Sequence, residues 1–184
     1  CADLSAAGGR RGIRSGQSSA FWGFHRALRD MGARRPRVVL LENVVGFLTS
    51  HAGHDFRDAM RAMNDLGYAV DPFVLDAKWF TPQSRPRLFV VCSLRDAERA
   101  IDPGSLEPAR LRPRAVVDAV RSLRREIRWS IRDLAEPPSR AAKTLEDIIE
   151  DPGDADPAWW SEERVAYLLN QMFERHRAWV ETRR

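Results

Sequence analysis

Cysteine is nearly absent from this chain: its 184 residues include two, Cys1 and Cys92. Two thiols cannot supply the disulfide framework of a small secreted scaffold. No run approaches the ~20 apolar residues that a membrane-spanning helix requires. The start carries no charged, apolar, small-residue export signal. Reduced thiols in a cytoplasm are therefore expected. The first residue is Cys rather than Met, which points to a natural N-terminus further upstream. Lysine is as scarce as cysteine. Of 30 basic residues, two are lysines (Lys78 and Lys143) and 28 are arginines. There is no G-x-G triplet, no internal repeat and no low-complexity tract.

What is present is enough apolar sequence, 43%, for one core of modest size. The net charge is +4 and rests on arginine, whose planar fork suits phosphates and base edges. A GC-rich genome raises Arg and Ala just as well, and composition leaves both explanations standing.

Residues 1–17, rich in Gly, Ser and Arg, read as a loop. Ser18 or Ser19 then caps a helix reaching about Met31, with Phe21, Phe24, Leu28 and Met31 on one face and Gly32 as its stop. RVVLLE, residues 37–42, is a short Val-rich run of the kind buried in parallel sheets. Asp55 opens a second helix whose apolar line is Phe56, Met60, Met63 and Leu66, ended by Gly67. Residues 68–75 read as a strand that tolerates Pro72 only at an edge or a bulge. A polar connection over 76–86 leads to a further buried strand, LFVVCS, at 88–93, where Cys92 is expected to be inert. Helix, strand, helix, strand, strand predicts one side of an α/β sheet that finishes in an adjacent strand pair.

Beyond about residue 95, prolines break the chain into shorter pieces. An Arg-rich helix is expected over 114–128 and a short one over 145–150. A long final helix is expected from the cap Ser161, with Val165, Leu168, Leu169, Met172, Phe173, His176 and Val180 on one face. The arginines at 110, 112, 114, 121, 124, 125, 128 and 132 fit phosphate contact, and equally a solvated helix face. His51 and His54 lack a third ligand for a metal. Trp159 and Trp160 are expected to pack beside the final helix.

Three clusters carry chemistry. They are Cys1-Ala-Asp-Leu-Ser5-Ala-Ala7-Gly8, then Glu42-Asn43-Val44 ending the RVVLL strand, then Gln83-Ser-Arg85-Pro-Arg87 leading into LFVVC. Side chains at C-terminal strand ends face the ligand crevice of open α/β sheets. A thiol, a carboxyl and two guanidiniums gathered there suit attack on a polar, planar, anionic substrate. Each cluster alone says little, because a lone Cys is more often a small buried hydrophobe.

In this order the three clusters resemble the DNA cytosine-5 methyltransferases. The pattern Cys-x-x-x-Ser-x-Ala-Gly falls on Cys1, Ser5, Ala7 and Gly8, VVLLENVVGFL matches the Glu-Asn-Val region, and TPQSRPRLFVV matches the Gln-x-Arg-x-Arg motif. The resemblance covers about residues 1–94. It departs at Ala2, where many members have Gln, and at Leu4, where Phe is common. The Gly-rich turn that holds S-adenosylmethionine in the family has no counterpart here.

The resemblance implies the C-terminal half of a Rossmann-like, S-adenosylmethionine-dependent methyltransferase sheet, followed by a mostly helical or irregular segment. Residues 1–95 would belong to the catalytic domain and residues 96–184 to the start of a target recognition region. It makes Cys1 the nucleophile, with Glu42, Arg85 and Arg87 as catalytic partners. Glu42 would have to be buried, so as to hold a proton at ring nitrogen 3 of cytosine. Ser5, Asn43 and Gln83 would position loops and DNA. The implied donor is S-adenosylmethionine, and the implied partner is double-stranded DNA with a flipped-out base. The whole protein would be a monomer, and this piece of it inactive alone. A tRNA cytosine-5 methyltransferase and a non-catalytic DNA-binding remnant are the alternatives.

Overall fold

Gly67 shows how closely local sequence sets this fold. Its φ of +87° is open to glycine at little cost, and it ends helix α2 (His54–Asp65) in the turn that launches strand β2 (Ala69–Asp76). The computed structural model describes residues 20–139, 143–150, 153 and 156–182. It divides into two compact units, Cys1–Thr144 and Leu145–Arg184.

In the first unit, helix α1 (Ala20–Asp30) precedes strand β1 (Val38–Asn43), α2 and β2 follow, and strand β3 (Pro86–Ser93) comes next. The strand order is β1-β3-β2, and β3 runs antiparallel to both neighbours. The expected strand pair is therefore present as β2–β3. The parallel pairing expected for the RVVLLE run is not found. β1 and β2 run parallel to each other, but β3 lies between them.

One face of the sheet carries Val39, Val70, Val74, Leu88, Val90 and Cys92, and these are buried with Phe56, Met60 and Met63 of α2. The α2 line read from the sequence is thus the core line. The other face carries Val38 and Leu40, 57% and 59% exposed, so β1 is covered on one side only. For α1 the expected face is partly wrong. Leu28 is buried and Phe21 packs on the core, but Phe24 and Met31 are exposed. Trp22 and His25 take their places, with His25 Nε2 3.1 Å from the Ala62 carbonyl.

Pro72 lies in the outer strand, as its missing N–H demands. The flanking amides of Val70 and Val74 point outward, donating to the carbonyls of Arg128 (3.1 Å) and Leu111 (2.7 Å). Pro72 shares their side of the strand, so its nitrogen interrupts no bond to β3. Residues 101–131 thereby fold back on the sheet. Helix α3 (Arg114–Ser122) buries Val116, Val117 and Val120 in the same core, and Ile131 is fully buried. Beneath this segment Arg112 makes a buried ion pair with Asp71 (2.8 Å), and Asp71 also accepts from the Arg132 amide (3.0 Å). The helix expected to reach residue 128 stops at Ser122.

In the second unit the helix expected over 145–150 is a single turn closed by the Leu145 carbonyl. The long final helix is two: α4 (Glu162–Asn170) and α5 (Glu174–Glu181). Phe173, at ψ 142°, interrupts them, although no Gly or Pro marks the break. Ser161 caps α4 as expected, its hydroxyl accepting from the Arg164 amide. Trp159 and Trp160 border a cleft with Val165, Ala166 and Leu169 of α4 while remaining more than half exposed. The Arg164 guanidinium lies over the Trp160 ring, 4.3 Å from its centre.

Candidate active site

The antiparallel order of the sheet brings two of the three motifs together. Glu42 lies at the C-terminal end of β1 and Arg87 near the start of β3, and opposite strand directions place these ends side by side. Glu42 stands opposite Phe89, and Arg87 is two residues from Phe89 on the same face. The side chains meet diagonally, Arg87 Nε to Glu42 Oε1, at 2.9 Å. Arg87 also donates through Nη1 to the Pro86 carbonyl at 2.8 Å. Its side chain is 22% exposed and that of Glu42 is 52% exposed. The burial expected for Glu42 is therefore not found. The carboxylate sits on the uncovered face of β1, with the guanidinium as its neighbour in place of an apolar wall.

Asn43, the last residue of β1, turns its side chain back to accept from the Val44 amide at 2.8 Å. That bond sets the exit of the strand into the 3-10 segment Val45–Gly53. Its far end is strained, with His51 and Ala52 both at positive φ (46° and 55°). His51 Nδ1 lies 2.9 Å from Asp55, which also accepts from the Ser50 hydroxyl. Among the described residues, no group of three or more His, Cys, Asp or Glu could hold a metal.

The third motif is held by a residue that the sequence reading did not single out. Asp76 ends β2 and is buried. Its Oδ1 accepts from the amides of Lys78 (3.1 Å) and Arg85 (2.8 Å), and its Oδ2 from the Ser84 hydroxyl (3.2 Å). Burial works to raise its pKa. The hydrogen bonds from Lys78, Arg85 and Ser84, with the Lys78 charge, outweigh that effect and hold the carboxyl below its ordinary value. One side chain thus ties both ends of the connection that carries Gln83, Ser84 and Arg85. All three remain exposed. The legible signal was an Asp at a strand end, immediately before a short helical turn (Ala77–Trp79) whose Lys78 amide it caps. Cys1 and Ser5 lie outside the described residues.

The C-5 cytosine-specific DNA methylase family model matches residues 1–184, the whole chain. The chain belongs to this family. The match runs beyond residue 94, where the motif resemblance stopped. Among curated members, the type II methyltransferase M.Eco47II of Escherichia coli is 35% identical over 104 residues, covering 55% of this chain and 24% of its own. The orphan methyltransferase M.SPRI of Bacillus phage SPR is 25% identical over 179 residues, covering 94% of this chain and 38% of its own. The chain thus spans well under half the length of either methylase. The solved Dnmt2 methyltransferase of S. pombe is 28% identical, covers 51% of this chain and 30% of its own, and superposes with a TM-score of 0.37, too low to bear on the fold.

Four of the eight arginines expected to contact phosphate meet an acid within the methylase chain itself. Arg112 pairs with Asp71, Arg114 with Asp118, Arg121 with Glu107, and Arg128 with Asp96. Arg132 offers its amide, not its side chain, to Asp71. Arg112 is buried in its pair and serves the fold, whereas the pairs of Arg114, Arg121 and Arg128 are exposed to solvent. Cys92 is fully buried and, as expected, chemically quiet, since burial pushes its thiol up to about 12.

Proposed function

We propose that this chain supplies the base-activating residues of an enzyme that transfers a methyl group to carbon 5 of cytosine in DNA. The observation that carries the reading is the Glu42–Arg87 pair, which unites the Glu-Asn-Val and Gln-x-Arg-x-Arg motifs at one end of the sheet. Carbon 5 of cytosine is a weak nucleophile until a thiolate adds at carbon 6. In this reading Cys1 forms that bond, and the displaced electron pair moves toward ring nitrogen 3 and the carbonyl oxygen. Nitrogen 3 takes up a proton from water, the Glu42 carboxylate beside Arg87 accepts its hydrogen bond, a role that exposure on one side permits, and Arg87, with Arg85, stabilises charge at the oxygen. Once carbon 5 carries the methyl group, loss of its proton to a solvent base and departure of the thiolate restore the ring. Ser5, Asn43 and Gln83 position the loops and the DNA backbone.

S-adenosylmethionine supplies the methyl group when bound. Among the described residues no Gly-rich turn abuts a helix N-terminus to cradle it, so the described residues do not fit that group, and their work concerns the cytosine. The β1-β3-β2 arrangement is read as part of a Rossmann-like sheet, with residues 1–95 catalytic and 96–184 leading into target recognition. A target on double-stranded DNA implies that the base swings out of the stack, since a ring buried in the duplex is beyond the thiol's reach. The whole protein is read as a monomer.

Duplex DNA containing 5-fluorocytosine tests the reading, because fluorine at carbon 5 cannot leave as a proton and the adduct persists. The whole enzyme, supplied with S-adenosylmethionine, should form a covalent complex that Cys1→Ser abolishes. An adduct that survives the substitution refutes the assignment, and methyl transfer to tRNA with none to DNA moves the substrate to RNA.

A further inference from the structure

Both lysines of this arginine-dominated chain line one cavity. It measures about 690 Å³ and is bounded by Lys78, Trp79, Ser84 and Arg110 together with Ser139 and Lys143. Three cations therefore face one space, beside the connection that carries Gln83 and Arg85. Among the described residues, the carboxylate that meets one of them is Asp76, 3.5 Å from Lys78 Nζ and already engaged by two amides and a hydroxyl.

Arg110 is pinned rather than neutralised. Its guanidinium lies over the Trp79 ring, 4.7 Å from the centre, and donates to the carbonyls of Pro137 (3.0 Å) and Pro138 (2.9 Å). These contacts fix its position and leave its charge uncompensated by any carboxylate among the described residues. The contrast with Arg112, Arg114, Arg121 and Arg128 is plain, since each of those meets an acid. A concentrated positive field with one rigid, stacked guanidinium and two flexible ammonium groups suits a tetrahedral anion whose oxygens need several donors. The Ser84 hydroxyl is spent on Asp76, so the cations carry the recognition.

We propose that this cavity is a phosphodiester subsite that seats the DNA backbone beside the Gln83–Arg87 segment. It rests on the methyltransferase reading for the identity of the polymer, while its geometry stands independently of Cys1 and Glu42. The subsite is indifferent to sequence, because phosphate contacts carry charge and position but no base information.

The test uses the protein with its full chain and a fluorescent duplex titrated between ~50 and 200 mM salt. Lys78→Gln with Lys143→Gln should weaken binding to all duplex sequences alike and reduce the slope of log affinity against log salt by about 1 to 2. Lys78→Arg with Lys143→Arg should restore the slope, an effect that lost packing would not produce. An unchanged slope in the glutamine variant overturns the proposal. So does a glutamine variant that loses binding of inorganic phosphate but keeps the DNA slope, because the ligand is then a free anion. Covalent trapping of 5-fluorocytosine DNA by the wild type judges the methyl-transfer reading separately. If the slope falls but no adduct forms, the subsite stands and the chemistry does not.

Discussion

The carboxylate of Asp76 accepts the backbone amide of Arg85 at 2.8 Å, nine residues along the chain, and so closes the connection that presents the arginine motif. A buried acid with three donors cannot be replaced without orphaning those donors. Asp76→Ala is expected to cost about 1–3 kcal/mol. It should also lower methyl transfer, because Gln83 and Arg85 lose their anchor. Urea unfolding with a transfer assay measures both, and a variant with unchanged stability and rate removes Asp76 from this role.

The same group gives a pH signature. Its folded pKa lies below the ordinary 3.8, so the unfolded chain binds more protons in the interval between the two values. The stability it contributes is complete above the ordinary value and is lost as pH falls through the folded one. Asp76→Asn should flatten this acid limb. Equal acid sensitivity in wild type and variant would show that other carboxyls set it.

Glu42 and Arg87 should separate stability from activity. Their pair is partly solvated, so a double-mutant cycle in stability should give at most about 1 kcal/mol of coupling, less at high salt. Either Glu42→Gln or Arg87→Met should nevertheless cut methyl transfer by roughly 10²–10³-fold, the cost of removing one stabiliser of developing charge. Lower stability with undiminished methyl transfer would reverse that assignment.

Asp71 and Arg112 should behave in the opposite way. Both are buried, and Arg112→Met leaves an uncompensated carboxylate, so about 3–5 kcal/mol of destabilisation is expected. Asp71→Leu in the same background should recover a large part of it. Thermal melting of the two variants decides, and equal midpoints would show that the pair is not coupled.

Cys92 offers a probe of integrity. With its thiol pushed up to about 12 and its side chain wholly covered, it should resist iodoacetamide in the folded protein and react in denaturant. Measured on a Cys1→Ser background, one equivalent of label should appear only on unfolding. Labelling at the same rate without denaturant would place Cys92 at the surface.

What was legible in the sequence was the part governed by short-range rules. Phe56, Met60, Met63 and Gly67 defined α2 because helical spacing and a C-terminal glycine are local signals. Pro72 announced an outer strand because a missing donor is a local fact. The direction of β1 was not legible. RVVLL reads the same whether its partner runs parallel or antiparallel, and its partner β3 lies more than 40 residues on. The helix break at Phe173 has no marker residue, and the fates of Arg112 and Arg128 depend on acids far away in the chain. Asp76 was overlooked because its three donors arrive from a loop that has no periodicity. The three motifs named the family while giving no distances, and the Glu42–Arg87 contact had to come from the register of the sheet.

The crossing of β2 by residues 111 and 128–130 makes this sheet grow in one direction only. On that flank the outward amides of Val70 and Val74 are already spent, and Pro72 between them has none to offer. Among the described residues β1 has a neighbour on one side alone. Any further strand must therefore enlist there, on the same strand that ends in Glu42 and Asn43. Backbone pairing at that rim would steady the acid from behind. In an isolated chain the same rim would be the place where copies adhere, so solubility and the poise of Glu42 should rise and fall together.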